Sequence, residues 1–404
     1  MIVNLKEQHC ENFLQSLHKE QWQEVRLGEV VEMNQKSIDK SYPHKTIQYL
    51  DTGSIANNKI ESLQLFDSAK LPSRAKRIVQ NNDIIYSLVR PIQRHFGFIK
   101  NPPENLIVST GFCVITTNNA ILDSKFLYYY LTLNEIIELL DMIAEASTSA
   151  YPAIRPFDIE NLTIPLPPLT TQQKIAEILS SFDDKIDLLH RQNKTLESLA
   201  LTLFRHYFID NPNRSEWEEV SLDDICLKIA SGGTPSTKIK EYYCGNINWY
   251  STKEFNDNFL FNSVQTITEK GLLNSSAKLF PKDTIVIAIY AAPTVGRLGI
   301  LTQDSAFNQA ACGLIVDEAQ CSKEFIFLFL KNERKNLNLL ASGSAQQNLN
   351  VEKIKSYTLA LPDKNSLCCF NIQAKGFFDK IHNNSKQIQN LQAMRDMLLK
   401  AIFA

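Results

Sequence analysis

The sequence lacks the features that would assign it to a membrane, a secretory pathway or a metal site. No apolar run approaches the length of about 18 residues that a membrane-spanning helix needs. The first residues turn polar after Val3, which does not match a signal peptide. The eight cysteines include no Cys-x-x-Cys pair, and the seven histidines form no ligand cluster. We therefore expect a cytoplasmic chain with reduced, mostly buried thiols and no structural metal.

The chain also lacks an excess of either charge, with a formal net charge of −2 at pH 7. This balance is unusual for a nucleic-acid binder, because phosphate contacts supply most of such a protein's affinity. Basic residues nevertheless cluster locally, first at Arg74, Lys76, Arg77, Arg90 and Arg94, then at Lys238, Lys240, Lys253 and Arg297. Such clusters are usually solvated surface, so composition alone leaves nucleic-acid binding open.

What the chain does contain is an internal repeat. The segment 21–27 returns as segment 216–222, and the segment 161–167 returns at the same spacing as 356–362. Between these anchors the two halves share only a pattern of apolar and polar residues. A duplication that keeps its ends while its middles diverge indicates one framework carrying two different recognition regions.

Each half is predicted to be a mixed, strand-rich α/β (α+β) unit followed by one long helix. Short segments rich in β-branched and aromatic residues predict strands at Thr46–Leu50, Asp83–Leu88, Leu106–Ile115, Ile247–Tyr250, Thr284–Tyr290 and Ala311–Val316. Helical spacing of apolar residues predicts helices at Lys125–Leu140 and Lys323–Leu340. Cys113 and Cys312 fall within predicted strands and are expected to be small core residues.

The two long helices carry a heptad pattern. Residues at alternating steps of three and four include Leu179, Phe182, Ile186, Leu189, Asn193 and Leu196 in the first helix, and Phe377, Ile381, Ile388, Leu391 and Leu398 in the second. We predict that these helices pack on each other antiparallel, with Asn193 helping to fix their register. The alternative is that each helix only covers its own domain. A helix over Thr171–Phe208 would span about 57 Å, long enough to act as a rigid spacer.

Catalytic motifs are incomplete. The segment 101–104 resembles the Asn-Pro-Pro-aromatic tetrapeptide of adenine methyltransferases, but Glu104 replaces the aromatic ring and no Gly-rich cofactor loop follows a strand upstream. The Gly-rich segment 231–236 lacks the Gly-Lys-Ser/Thr ending of a phosphate-binding P-loop. We therefore predict a chain that performs no bond chemistry itself.

Three features together resemble a known family. The repeat plan, the segment Pro165–Leu179 and the Gly-Gly-Thr-Pro-Ser loop at 232–236 look like those of type I restriction–modification specificity subunits. The turn at 294–299 is similar to one in the same family. The chain departs from the family pattern at Thr171, where Glu is frequent, and its first half has Met33–Ser37 in place of the Gly-rich loop.

The resemblance implies two globular target recognition domains in a pseudo-twofold repeat, separated by two long antiparallel coiled-coil helices. The expected boundaries are an N-terminal segment 1–20, recognition domains at 21–168 and 211–362, and shared helices at 169–210 and 363–404. It also implies a non-catalytic subunit that binds a bipartite double-stranded DNA target. Two methyltransferase subunits carrying S-adenosylmethionine would methylate adenine, and a motor-nuclease subunit using ATP and Mg would restrict DNA.

Candidate DNA contacts follow from the strand ends and basic clusters. Arg90, Arg94, Tyr86, Tyr250 and Lys253 lie near strand ends and are candidates for base contacts. The other basic candidates are Arg74, Lys76, Arg77, Lys238, Lys240 and Arg297, the last three being assigned to phosphate. Two alternatives stay open: a self-sufficient DNA methyltransferase or nuclease, and a coiled-coil adaptor that binds no DNA. Methyl transfer by the isolated chain would favour the first alternative, and absence of duplex binding at low salt would favour the second.

Overall fold

The computed structural model describes residues 13–39, 41–147, 151–290, 294–342 and 348–403. The chain divides into two compact units, the first formed by Met1–Lys185 with Leu391–Ala404 and the second by Ile186–Asn390. Each unit combines sheets of mixed strand direction with helices. The predicted mixed α/β class is confirmed.

The first unit contains two four-stranded sheets, with strand orders β6-β3-β10-β7 and β2-β11-β8-β9, and the small pairs β1-β12 and β4-β5. Its strands are β1 Gln23–Arg26, β2 Val31–Met33, β3 Thr46–Leu50, β4 Ile55–Ala56, β5 Lys59–Ile60, β6 Gln64–Asp67, β7 Ala75–Ile78, β8 Ile84–Ser87, β9 Phe96–Phe98, β10 Leu106–Ser109, β11 Phe112–Thr117 and β12 Thr163–Leu166. Its shorter helices are α1 Ser124–Leu131, α2 Asn134–Glu145 and α3 Pro156–Glu160.

Two predicted elements of the first unit are each divided in the structure. The strand predicted over Leu106–Ile115 becomes β10 and β11, which belong to different sheets. The chain turns between them at Gly111, where an added Cβ would lie 2.9 Å from Thr52 Cγ2. The helix predicted over Lys125–Leu140 is divided into α1, which ends at Leu131, and α2, which starts at Asn134. At the junction the Thr132 hydroxyl donates to the Tyr129 carbonyl at 2.9 Å.

The second unit contains a five-stranded sheet, β14-β21-β18-β19-β16, a three-stranded sheet, β17-β15-β20, and the pair β13-β22. Its strands are β13 Glu218–Ser221, β14 Cys226–Ser231, β15 Tyr243–Tyr250, β16 Asn258–Leu260, β17 Gln265–Ile267, β18 Ile285–Ala288, β19 Leu298–Leu301, β20 Ala306–Phe307, β21 Ala311–Val316 and β22 Thr358–Leu361. The long helix α4 Leu169–Phe204 precedes them, followed by a π-helical turn at Arg205–Ile209.

The remaining helices are α5 Glu269–Leu273, α6 Lys323–Asn332, α7 Arg334–Ser342, α8 Val351–Lys355 and α9 Lys364–Phe403. The helix predicted over Lys323–Leu340 is therefore two helices that meet at Glu333. Glu333 accepts a hydrogen bond from the Tyr357 hydroxyl at 2.9 Å, which holds this junction against the start of β22. Cys113 and Cys312 are fully buried in β11 and β21, as predicted.

The retained anchors of the repeat pair with each other inside each unit. In the first unit β1 runs antiparallel to β12, with Gln23 opposite Leu166. In the second unit β13 runs antiparallel to β22, with Glu218 opposite Leu361. Each small ladder joins the start of a unit to the residues that lead into the following long helix. This pairing explains why the anchors resemble each other while the segments between them differ.

The long helices α4 and α9 contact each other within the second unit. The Asn384 side chain donates to Asn193 Oδ1 at 2.9 Å, and the Gln373 amide donates at 3.2 Å to the hydroxyl of Tyr207, in the π-helical turn that continues α4. The residue numbers of the contacts increase along the first helix while they decrease along the second, so the helices are antiparallel, as predicted. Both asparagines are buried, Asn193 at 4% and Asn384 at 1% exposure.

The part of the helix pair that belongs to the first unit is held by a charged contact. Arg395 of α9 donates to Asp183 of α4 at 2.6 Å, and the Tyr129 hydroxyl donates to the same carboxylate at 2.7 Å. Leu179 and Leu398 are buried beside this group. The ion pair therefore ties both long helices to α1.

The N-terminal segment is described from residue 13 onward, and residues 1–12 lie outside the described part. Leu17 is buried against the core of the first unit, and the Trp22 indole donates to its carbonyl at 3.0 Å. Lys19 donates to the carbonyl of Ala401 in α9 at 3.0 Å. Residues 13–20 thus pack against the first unit. Among the described residues, none of the helices is both long and apolar enough to cross a membrane.

Candidate nucleic-acid interface

Four chain segments meet at one edge of the first unit. Strands β3 and β10 are parallel neighbours, so the segments that follow them emerge on the same side. The Thr110 amide donates to the Arg74 carbonyl and the Leu88 amide donates to the Gly111 carbonyl, each at 2.8 Å. We call this surface the first edge; it consists of residues 51–54, 88–94, 110–111 and Arg74.

The first edge carries three arginines. Arg90 and Arg94 flank the 3-10 turn Pro91–Gln93, and both have positive backbone φ angles of 46° and 57°. Such a conformation costs non-glycine residues of the order of 1–3 kcal/mol and is concentrated at functional sites. Arg90 and Arg74 are exposed, and the Arg94 guanidinium donates to Asn134 Oδ1 at 2.6 Å. No carboxylate in the described part of the chain forms an ion pair with these three arginines.

Lys76 and Arg77 lie within β7, outside the first edge. Lys76 is exposed, whereas Arg77 is half-buried and its Nη1 lies 3.4 Å from Ser37 Oγ. The Arg77 Nε atom is buried and has no hydrogen-bond partner among the described residues. The structure therefore separates this part of the first basic cluster from the arginines at the strand ends.

Tyr86 is buried and does not reach the surface. This corrects its prediction as a base contact. It is only 1% exposed, because all four residues of the central strand β8 are buried. Its ring stacks on Phe96 with centroids 5.5 Å apart. Burial raises the pKa of the Tyr86 hydroxyl well above its usual value. That hydroxyl has no hydrogen-bond partner among the described residues.

The second unit has an edge of the same construction. Strands β15 and β20 are parallel neighbours, and the Asn308 amide donates to the Tyr250 carbonyl at 3.0 Å. The Ile289 amide donates to the Ala310 carbonyl at 2.8 Å, which matches the contact between Leu88 and Gly111 in the first unit. We call this surface the second edge; it consists of residues 234–236, 251–254, 289–290 and 308–310.

The two edges share one local structure that lies outside the repeated sequence segments. A 3-10 turn follows the parallel strand in each unit, Thr52–Ser54 after β3 and Thr252–Glu254 after β15. The neighbouring residues differ, since Gly53 in the first unit stands where Lys253 stands in the second. The backbone of the two edges is therefore repeated, while their side chains are not.

The Gly-rich loop 231–236 is fixed at the base of the second edge. A Cβ on Gly232 would lie 2.1 Å from the Phe307 carbonyl oxygen, and one on Gly233 would lie 2.0 Å from the Ser276 carbonyl oxygen. The Trp249 indole donates to the Gly233 carbonyl at 2.9 Å, and the Tyr243 hydroxyl donates to the Pro235 carbonyl at 2.7 Å. Glycine is therefore required here for close packing of backbone against backbone.

The predicted cations of the second unit are distributed around this edge. Lys253 is exposed in the turn after β15, and Lys238 and Lys240 are exposed in the connection between β14 and β15. Arg297 is half-buried, and its carbonyl accepts from the Ala288 amide at 2.9 Å. None of the four forms an ion pair with a carboxylate of the described residues. Residues 291–293 lie outside the described part.

Tyr250 is the second tyrosine whose prediction as a base contact is wrong. It is fully buried at the end of β15, in a small core with Phe255 and Phe307. Its hydroxyl accepts from the Asn248 amide at 3.1 Å, and burial raises its pKa to about 12. Aromatic residues in central strands are favoured by packing, so an aromatic residue near a strand end is a weak signal for a surface contact.

Two amide side chains at the second edge were missed by the sequence analysis. Gln309 is exposed, and its side-chain carbonyl accepts a hydrogen bond from the Thr234 hydroxyl. Asn308 has a buried Oδ1 atom without a hydrogen-bond partner among the described residues. Neither belongs to a charged cluster or a known motif, and only the pairing of β15 with β20 places them beside Lys253.

An ion pair supports the strands behind the second edge. The Arg334 guanidinium donates through Nη1 to Asp257 Oδ2 at 2.8 Å and through Nε to the Gly296 carbonyl at 2.7 Å. The Leu298 amide donates to Asp257 Oδ1 at 3.0 Å. Burial alone would raise the pKa of Asp257, but these hydrogen bonds and the positive charge of Arg334 outweigh it and lower the pKa.

The heptad residues predicted to form the contact between the two long helices, here called the helix seam, are divided between the two units. In the first unit Leu179 and Leu398 are buried, and Phe182 and Leu391 are half-buried. In the second unit the buried members are Ile186, Leu189, Asn193, Ile381 and Ile388, and the half-buried members are Leu196 and Phe377. Phe378, next to Phe377, is buried in the core of the second unit, whereas Phe377 packs against that core and is half-buried. The seam of α9 is thus displaced by one residue at this position.

The described residues offer little that resembles a small-molecule or metal site. They contain no group of three or more His, Cys, Asp or Glu side chains that could hold a metal ion. A cavity in the second unit, lined in part by Glu197, Lys331 and Phe378, has a volume of about 20 Å³. That volume holds about one water molecule.

Comparisons with known proteins agree with this geometry. The family model described as the type I restriction modification DNA specificity domain matches residues 19–198 and 214–387. The chain is 28% identical to the type I restriction enzyme HindI specificity subunit of Haemophilus influenzae, covering 94% of this chain and 98% of that one. It is also 28% identical to the type I restriction enzyme MjaIX specificity subunit of Methanocaldococcus jannaschii, covering 81% and 78% of the two chains.

A solved structure supports the fold. The type I restriction–modification system S subunit from M. genitalium aligns with a TM-score of 0.57 and 17% identity, covering 95% of this chain and 96% of that one. The family model is matched twice, once in each half of the chain, which agrees with the internal repeat. The chain therefore belongs to the family of type I restriction–modification DNA specificity subunits.

Proposed function

We propose that each of the two edges contacts one half of a bipartite DNA target, so that one chain specifies two separated half-sites. As a member of its family, the chain is a DNA-recognition subunit and not a catalytic one. The observation that carries the proposal is the repeated edge. In both units the ends of two parallel strands present side chains of different chemistry on the same backbone arrangement.

In this proposal the target recognition domains are residues 21–168 and 211–362. The long helices at 169–210 and 363–404 act as the shared segments that connect them. The segment 1–20 contributes to the first unit through Leu17 and Lys19, which pack there. The buried contact between Asn193 and Asn384 would keep the helices in one register, as a polar pair in an otherwise apolar seam does.

The basic residues divide into two proposed roles. Arg90 and Arg94 extend from a turn at the first edge and are proposed to contact bases, since arginine bonds guanine through both O6 and N7. Arg74 and Lys253 lie at the rims of the two edges. The cations proposed to contact phosphate are Lys76, Arg77, Lys238, Lys240 and Arg297. Phosphate contacts supply affinity and register, and base contacts supply specificity.

Partner subunits would supply the chemistry. We propose that two methyltransferase subunits carrying S-adenosylmethionine bind the chain and methylate adenine in its target. A motor-nuclease subunit that uses ATP and Mg would cleave unmodified DNA. Because the substrate is chromosomal DNA, we propose that the complex acts in the cytoplasm.

Selection of duplexes from a random pool tests this proposal. The chain, purified with its methyltransferase subunit, is expected to enrich sequences in which two short defined elements flank a spacer of fixed length. The affinity should fall steeply with salt, because each phosphate contact releases counterions. Enrichment of a single uninterrupted element, or of no sequence at all, would contradict the proposed division of the target between two edges.

A further inference from the structure

The second edge presents a neutral carboxamide, that of Gln309, whereas the first edge carries three arginines. Gln309 is the second residue after β20, and its chain neighbours bond to two other segments: the Asn308 amide to the Tyr250 carbonyl at the end of β15, and the Ala310 carbonyl to the amide of Ile289, which follows β18. The Gln309 side chain is exposed on this fixed backbone. The backbone on both sides of Gln309 is therefore held in place at the second edge.

The Gln309 side chain is also oriented by a second contact. The Thr234 hydroxyl donates to Gln309 Oε1. Thr234 itself is placed by the Gly-rich loop, whose glycines have no room for a Cβ and whose carbonyls accept from Trp249 and Tyr243. The packing of this loop thus sets the position of the Thr234 hydroxyl that bonds the carboxamide oxygen. Preorganised side chains of this kind are what specific recognition requires.

From this geometry we propose that Gln309 reads an adenine in the half-site bound by the second unit, and that Thr234 is its positioning residue. A carboxamide oxygen has two lone pairs, so Oε1 can accept from Thr234 and from the adenine N6 amino group together. The Nε2 group then donates to adenine N7. These two bonds match the pattern of adenine in the major groove. The inference rests on the proposed function, because it needs DNA at the second edge.

The test is a map of methylated adenine in cells that express the methyltransferase partner with either the unaltered chain or Gln309→Ala. We expect the variant to lose about 5- to 100-fold of its preference at one A·T position of one half-site. The other half-site should stay as strict as before, which makes it an internal control. Gln303→Ala is a matched control, since Gln303 is also exposed but precedes β20.

The positioning role of Thr234 has its own readout. Thr234→Val should relax the same A·T position, because the hydroxyl that orients Gln309 is lost. Thr234→Ser keeps that hydroxyl and should restore the preference. If Thr234→Val weakens methylation equally at all sites, or if Thr234→Ser fails to restore the preference, Thr234 has only a structural role and its assignment is overturned.

The outcomes separate this inference from the function on which it rests. If the unaltered chain directs no bipartite methylation, the proposed function fails. If it does, but Gln309→Ala leaves every position equally strict or relaxes a G·C position, only the assignment of Gln309 fails. Uniform loss of methylation by Gln309→Ala at an unchanged melting temperature would make Gln309 a contact for affinity and would also overturn the inference. If Gln309→Ala lowers the melting temperature, the same methylation map is measured with Gln309→Glu, which keeps the shape of the side chain.

Discussion

Cations at the two edges differ from some cations elsewhere in the chain in having no ion-pair partner among the described residues. The cations that lie at an edge, such as Arg90 and Lys253, form no ion pair with a described carboxylate, whereas Lys270 in the same unit as Lys253 pairs with Glu241. Surface ion pairs are worth little to stability, so an unpaired cation costs the fold almost nothing. Such residues are available for a ligand that carries negative charge.

We expect Arg74→Ala to weaken binding to all duplexes, because its position at the rim of the first edge suits a phosphate. Loss of one phosphate contact should reduce the slope of log K against log salt by about 0.9. Arg94→Ala should instead relax the preference at one base pair. Binding isotherms at several salt concentrations separate the two roles. Lys45→Ala is the control, since Lys45 is exposed at the opposite end of β3.

If Arg74→Ala relaxed the preference at one base pair while leaving the salt slope unchanged, Arg74 would be a base contact and its assignment would be wrong. Unchanged binding by Lys45→Ala would show that loss of an exposed cation outside the first edge is not sufficient to weaken binding.

Tyr86 gives a prediction about stability rather than recognition. A buried hydroxyl without a partner is destabilising by about 1–3 kcal/mol relative to an apolar group of the same shape. Tyr86→Phe should therefore maintain the free energy of unfolding or raise it by about 1 kcal/mol, while sequence preference stays unchanged. Denaturant unfolding and duplex selection measure the two properties. A relaxed base preference would restore Tyr86 as a base contact.

Among the elements, the junction of α7 with the strands behind the second edge depends on one ion pair. Asp257 and Arg334 are 22% and 28% exposed at the side chain, so solvent screens their attraction only in part. The folded-state pKa of Asp257 lies below its unfolded value, so the pair contributes stability above about pH 4 and loses it as the pH falls through the lower folded value. Asp257→Asn should lower the free energy of unfolding by about 2 kcal/mol at pH 7.

The pH profile is the control for this prediction. The difference in unfolding free energy between the unaltered chain and Asp257→Asn should shrink as the pH is lowered below about 4, where Asp257 becomes protonated. A difference that stays constant with pH would show that the charge of Asp257 does not stabilise the fold.

The helix pair is the second element whose polar contact can be measured. Replacing Asn193 alone by Leu leaves the buried Asn384 amide with only its longer bond to Gln192 at 3.4 Å, which we expect to be destabilising by about 1–3 kcal/mol. Replacing both by Leu should recover most of that loss, because two leucines pack in the seam. A double-mutant cycle on the melting of the chain gives the coupling. Additive effects of the two substitutions would contradict a direct contact.

At the scale of the whole molecule, the sequence predicted the repeat, the mixed class and the antiparallel helices, because these depend on patterns that extend over many residues. It misjudged Tyr86 and Tyr250, since burial of one aromatic residue in a central strand is decided by the neighbouring strands. It missed Gln309, because that residue joins the second edge only through the pairing of β15 with β20. Side chains brought together by parallel strands leave no short-range signal in the sequence.

The duplication also has a consequence for the molecule as a whole. The anchors that pair in each unit, β1 with β12 and β13 with β22, hold the start of a unit against the entry of its long helix. The segments between them can diverge without loss of this closure. Two different half-sites can therefore be read from one repeated framework.

We expect this chain to determine where partner methyltransferases act. The most direct test is a genome-wide map of methylated adenine in host cells with and without the gene, while the methyltransferase subunit is expressed in both. We predict that a bipartite motif is methylated only when the gene is present. An identical methylation map in the two strains would contradict the account.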